Sequence, residues 1–174
     1  MSNATTPRPA LTKAARLVVE NHVTQHANDK QEVEPALAKL VVLPKELGQV
    51  AHMAGDAGYC SEANACACER DGVIPLLASS REAHHPGPEA RFADAGEAPA
   101  ATASAVTRMR HRLKTAEGKA IYARRKSTVE PVFGIIKQVM GFRQFLLRGL
   151  KAVTGEWTLV CIAYNLKRLH VLAG

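Results

Sequence analysis

The spacing of apolar residues changes character along this chain, from short β-like runs near the start to a helical period near the end. Leu17 to Thr24 is short and β-branched, which reads as a strand. Asn28-Asp29 then offers a helix cap, with Gln31 or Glu32 placed for a capping box. Val33, Leu37, Leu40 and Val41 follow at helical spacing, and Pro44 ends the run. A second short strand, about Val50 to Gly55, delivers Asp56. Gly58 makes a turn, and Ser61 caps a helix that closes at Asp71-Gly72. Val73 to Ala78 reads as another strand, and Pro75 inside it calls for a sheet edge. Residues 79–104 hold Phe92 as their only large apolar side chain, too little burial to offset the entropy of ordering them. Beyond this the period stays helical. Val106, Met109 and Leu113 share a face with Arg108, Arg110 and Arg112 interleaved. A second helical stretch covers roughly 116–139, with a break expected near Pro131. A last one from about Thr154 sets Leu159, Ile162, Leu166 and Leu169 on one stripe.

This order gives an α/β class with four parts: a disordered leader (1–14), a partial α/β core (15–78), a flexible linker (79–104) and a basic helical part (105–174). The opening MSNATTPRPA is polar, and no apolar run approaches the roughly 18 residues of a membrane span. The expected location is therefore the cytoplasm.

Charge sharpens the division. Residues 1–102 carry 9 Lys/Arg and 13 Asp/Glu, a net of −4. Residues 103–174 carry 14 and 3, a net of +11, and the two make the overall +7. Positive charge gathered in one part of a chain is the electrostatic footprint of a nucleic-acid partner. The four cysteines, Cys60, Cys66, Cys68 and Cys161, have no metal-ribbon spacing and read as reduced, mostly buried thiols.

Two acids stand out. Asp56 ends a strand and is followed by a glycine turn, a rigid platform that other groups can approach closely. Glu130 is a lone acid in a basic helical run that carries Arg124, Arg125, Lys126 and Lys137. Ser127-Thr128-Val129-Glu130 matches a capping box, and Pro131 is tolerated in a first turn, so Glu130 is expected at a helix start. On an uninterrupted helix at 100° per residue, Lys126, Glu130 and Lys137 would instead share a sector of roughly 40°.

The strings that hold these acids resemble the C-terminal part of insertion-sequence transposases of the DDE class. In that family the second acid occurs in Ala-Asp-x-Gly-Tyr-x-Ser-x-x-Asn. AGDAGYCSEAN (54–64) follows it, with Gly55 in place of Ala. The family's last acid occurs in TVEPVFG, here Thr128 to Gly134. A related signature spaces Tyr, Arg, Glu and Lys by two, three and six intervening residues. Glu130 and Lys137 fit its last interval, while Tyr122 and Arg125 sit one residue too far away and Lys126 takes the Arg position. GFRQFLLRGL (141–150) and GEWTLVCIAYNL (155–166) also resemble the family, and place Arg143 and Arg148 to meet a DNA backbone.

The resemblance implies a partial ribonuclease-H-like fold lacking its first strands, with a helical C-terminal part. It also implies Mg²⁺ (or Mn²⁺) held by Asp56 and Glu130 as catalytic metal ligands. Transposon-end DNA would be met by Tyr122, Arg125, Lys126, Lys137, Arg143 and Arg148. Further implied partners are a homo-oligomer or a full-length transposase, in the nucleoid. The family's first acid has no counterpart here. Asp29, the only Asp before Asp56, sits in a cap-like pair rather than at a strand end. The expectation is a truncated transposase that is inactive alone. Its rival is a non-catalytic basic DNA-binding or regulatory module derived from a transposase.

Overall fold

The computed structural model describes residues 10–11, 16–44, 46, 48–79 and 95–174, with the backbone alone at 10, 11 and 126. Most of the expected leader and linker therefore lies outside the described residues. The chain divides into two compact units, Asn28–Arg125 and a second one made from Met1–Ala27 with Lys126–Gly174. We call them the central and terminal units.

The central unit is built on a strand–helix–strand motif. Strand β3 (His52–Gly55) pairs in parallel with β4 (Ile74–Leu77), Gly55 lying opposite Leu77. A parallel pair needs a crossover, which helix α2 (Glu62–Arg70) supplies. Ser61 caps α2 as expected, its Oγ accepting the Asn64 N–H at 3.1 Å. Ahead of β3, a 3₁₀ turn (Asp29–Glu32) leads into helix α1 (Val33–Val41). The capping box expected there is replaced by a tighter contact, Asn28 Oδ1 accepting from Lys30 N–H at 3.1 Å. Leu37 of α1 meets Ala67 and Cys68, small side chains that let α2 come close.

Helix α3 (Ala105–Lys114) lays Met109 against Ala65 and Leu77, with Val106 and Leu113 alongside. Glu62 fixes its start: the carboxylate accepts from Ala105 N–H at 2.6 Å and Val106 N–H at 3.2 Å. Desolvation acts to raise the Glu62 pKa, but these bonds, with Ser104 and Arg108, hold it below the ordinary 4.5. Arg108 and Arg112 of α3 both pair with Glu69 of α2. Helix α4 (Ala116–Gly134) begins immediately, and Gly118 is required at that corner. A Cβ there would stand 1.9 Å from the Arg112 carbonyl oxygen, at the end of α3.

In the terminal unit, α4 runs through Pro131 without ending and passes into a π-helical turn (Ile135–Val139), closed by Met140 N–H on the Ile135 carbonyl at 2.9 Å. Helix α5 (Leu150–Ala173) supplies the other half of the core. Trp157 is surrounded by Phe133, Phe142 and Phe145 at centroid distances of 6.1–6.3 Å, with Val132, Ile136, Cys161 and Tyr164 beside it. These aromatics are therefore core groups, as their apolar setting predicts. The buried side of α5 is Val153, Trp157, Cys161 and Tyr164, and the Leu159–Leu169 stripe faces outward.

The N-terminal segment is held to α5 by side chains. Strands β1 (Ala10–Leu11) and β2 (Val18–Glu20) pair antiparallel, so two residues assigned to the leader are in fact paired. Asn165 clamps β2 from the helix: Val18 N–H donates to its Oδ1 at 2.8 Å, and its Nδ2 donates to the Val18 carbonyl at 2.7 Å. Tyr164 Oη donates to the Arg16 carbonyl at 3.0 Å. Asn165→Ala orphans both main-chain groups of buried Val18, and urea unfolding should show a loss of about 2–3 kcal/mol. A midpoint within error of the parent would remove the clamp's role.

The four thiols are free. Burial, then the Asp71 charge, pushes Cys68 up to about 11. Burial, then Glu20, pushes Cys161 up to about 12. Both stay protonated at pH 8 and shielded from reagents, whereas Cys66 is exposed. Because the thiolate is the nucleophile, a maleimide titration at pH 8 should label Cys66 first and reach Cys68 and Cys161 only in denaturant.

Candidate functional site

Asp56 stands where β3 ends, in extended backbone (φ −81°), and its carbonyl accepts from Tyr59 N–H at 3.1 Å to close a 3₁₀ turn (Ala57–Tyr59). The residues that follow in the motif hold this turn in place. Asn64 is buried, and its amide donates to the Tyr59 carbonyl and to the Lys30 carbonyl, both at 2.8 Å. One side chain thus joins the turn that carries Asp56 to the turn that carries Asp29.

Gly58 sits between the two acids. A Cβ there would lie 3.0 Å from Asp29 Oδ2 and 3.4 Å from Asp56 Oδ1. Both carboxylates therefore border the same small space, an arrangement that 26 intervening positions hide from sequence reading. The usable signal was the Asn64 amide, whose two donors had to find acceptors once the residue was buried.

Arg125, read from sequence as a DNA contact, lies in the same unit as Asp56. Its Nη1 stands 3.8 Å from Asp56 Oδ2, and its guanidinium lies over the Tyr122 ring at 5.4 Å from the centroid. Tyr122 packs with Leu76 and Ala78, so its ring is a support for Arg125 as well as a core group. At that distance the pair is a screened attraction rather than a hydrogen bond. It lowers the local negative charge.

Glu130 lies in the terminal unit and is exposed. The expectation that it opens a helix is corrected: Ser127 to Glu130 lie inside α4, and Pro131 is accommodated within it. A proline inside a helix removes one main-chain donor, and packing of Val132 and Ile136 in the core offsets that loss. The angular alignment of Glu130 with Lys137 is also altered, because Lys137 falls in the π turn, where 100° per residue no longer applies. Lys137 instead lies over Phe133, 5.9 Å from its centroid. Arg143 and Arg148 are exposed, with Arg143 Nη2 donating to Gln138 Oε1 at 3.4 Å. Their loop is anchored by Glu156, whose carboxylate accepts from the Leu146 and Leu147 amides at 2.9–3.1 Å. The Lys126 side chain lies outside the described residues.

Among the described residues no three His, Cys, Asp or Glu side chains converge as a protein-only cation cage. Mg²⁺ is commonly held through one or two carboxylates completed by water and phosphate oxygens. Asp56, rigidly presented and half-exposed, fits the role of one such ligand. No helix among the described residues is long and apolar enough to cross a membrane.

Residues 91–170 match the family model described as "Transposase DDE domain", which supports a DDE transposase domain in this chain. The matched span includes Glu130 and every candidate DNA-contacting residue, and begins beyond Asp56. No curated protein and no solved structure matches the chain. The mixed α/β architecture with its small parallel sheet is compatible with part of such a domain.

Proposed function

We propose that this chain is part of a DDE-class DNA transposase on a ribonuclease-H-like scaffold, with Asp56 and Glu130 as its acidic metal ligands. The observation that carries the reading is the family match, which spans Glu130 together with the exposed cations Lys137, Arg143 and Arg148. A bound divalent ion would supply charge neutralisation to a phosphate and ready an oxygen nucleophile. The chain's own residues do the rest. Asp56 is held in place by the turn that Asn64 ties down. Arg125, steadied on Tyr122, balances the Asp56 charge and can bond a phosphate in fork geometry. Lys126, Lys137, Arg143 and Arg148 hold the DNA backbone. DNA binding that a divalent ion strengthens is the activity expected of it.

A second reading, a non-catalytic basic DNA-binding module, is favoured by the +11 net charge of residues 103–174 (14 Lys/Arg against 3 Asp/Glu). Titrating element-end duplex DNA with and without Mg²⁺ separates the two. Under the transposase reading, Mg²⁺ strengthens binding several-fold in the parent, and Asp56→Ala or Glu130→Ala removes that gain. If all three proteins bind alike with and without Mg²⁺, the acids hold no metal and the second reading takes over.

A further inference from the structure

The loop between the π turn and α5 sends its aromatic side chains inward and its leucines outward. Phe142 and Phe145 pack on Trp157, whereas Leu146 is 77% and Leu147 52% exposed. The leucines are held there by their own main chain. Both amides donate to the Glu156 carboxylate at 2.9–3.1 Å, and charge-assisted bonds of this kind resist turning. Gly141 (φ +73°) and Gly149 (φ +83°) take left-handed backbone at either end of the loop. An apolar pair fixed on a loop tip, beside a core that it does not enter, is a contact surface. Cations frame it. Arg143 stands three residues before Leu146, and Arg148 follows Leu147 directly, both exposed.

We propose that Leu146 and Leu147 form a wedge that enters a DNA duplex between stacked bases, while Arg143 and Arg148 hold phosphates beside it. The inference rests on the DNA-binding reading above and adds to it how the duplex is deformed. Charge chooses this partner. A duplex presents phosphates outside and apolar base faces within, so cations should flank the apolar group, as they do here. Residues 103–174 hold 14 Lys/Arg against 3 Asp/Glu, so the tip sits in a strongly basic part of the chain. Opening a base step costs stacking energy, and a wedge needs a rigid backing to do it. The Glu156 anchor and the contacts of Phe142 and Phe145 with Trp157 supply that backing. Two leucines cannot read base edges by hydrogen bonding, so the contact selects deformable steps rather than a base sequence.

Two short duplexes of one sequence, one perfectly paired and one with a central mismatch, test this with the full chain by fluorescence anisotropy. A mismatched step is already partly unstacked, so the parent should bind that duplex at least several-fold more tightly. Leu146→Ser with Leu147→Ser should abolish the preference, while binding to paired DNA keeps its salt slope and the far-ultraviolet spectrum is unchanged. The substitutions leave in place the main-chain amides that Glu156 holds. Equal affinity of the parent for the two duplexes, or a preference that survives in the leucine variant, would overturn the wedge and leave DNA binding standing. Absence of salt-dependent binding to either duplex would instead overturn the DNA reading itself, and the wedge with it. Leucine-dependent binding to vesicles of phosphatidylserine and phosphatidylcholine, in place of duplex, would assign the tip to an anionic membrane surface and overturn the proposal.

Discussion

Replacing Lys137, Arg143 and Arg148 together with Glu is expected to weaken duplex-DNA binding by about two to three orders of magnitude at 0.1 M salt. The three cations lie within a short stretch of the terminal unit, are exposed, and are in no ion pair among the described residues. Each phosphate neutralised contributes about 0.9 to the slope of log affinity against log salt, so losing three contacts should flatten that slope by about 2.7. Reversing the charges adds repulsion to the loss. Arg70→Glu is the matching control, because Arg70 sits in the central unit and is engaged with Asp71 and Glu34. Its slope should equal that of the parent. A triple variant with an unaltered slope would mean that this segment does not meet phosphate, and the electrostatic part of the proposed function would fail. Because Glu156 anchors the loop through main-chain amides, the three substitutions leave that anchor in place. A change in binding is then separable from collapse of the loop.

What could be read in advance was local. The β3–α2–β4 motif was legible because each boundary carries its own chemistry: Asp56 and Gly58 at a turn, Ser61 at a cap, Asp71-Gly72 at a stop. The course of the chain near Pro131 was not. A capping box and an uninterrupted helix use the same residues there, and the core contacts of Val132 and Ile136 that choose between them are tertiary. The α5 stripe was visible as a pattern, yet a pattern gives two apolar sides equal standing. Which one is buried depends on Phe133, Phe142 and Phe145 surrounding Trp157. The meeting of Asp29 and Asp56 at Gly58 was illegible for the same reason: it rests on one buried amide reaching two distant carbonyls.

That amide supports the second large prediction. Asn64→Asp keeps the shape of the side chain and removes its donors. An ionised carboxylate would then face the Tyr59 and Lys30 carbonyl oxygens, which the amide now approaches at 2.8 Å. A buried charge set against acceptors should cost about 3–5 kcal/mol at neutral pH. Its pH dependence identifies the cause. Both carbonyls disfavour the charged form, so the introduced carboxyl has a folded-state pKa above its unfolded value of about 3.9. Below the unfolded pKa both states are protonated, a single O–H donor is restored, and the variant approaches the parent. As pH rises through the folded pKa the stability is lost, and the gap to the parent widens to its full size. Asn64→Leu provides the contrast, losing about 2–3 kcal/mol through orphaned acceptors, with a gap to the parent that does not vary across the same range. Amide exchange should then quicken at Ala57 to Tyr59 in both variants, since the turn under Asp56 loses its tie. If Asn64→Asp differs from the parent by the same amount at acid and neutral pH, the amide is not a donor to those carbonyls. The positioning of Asp56 would then need another source.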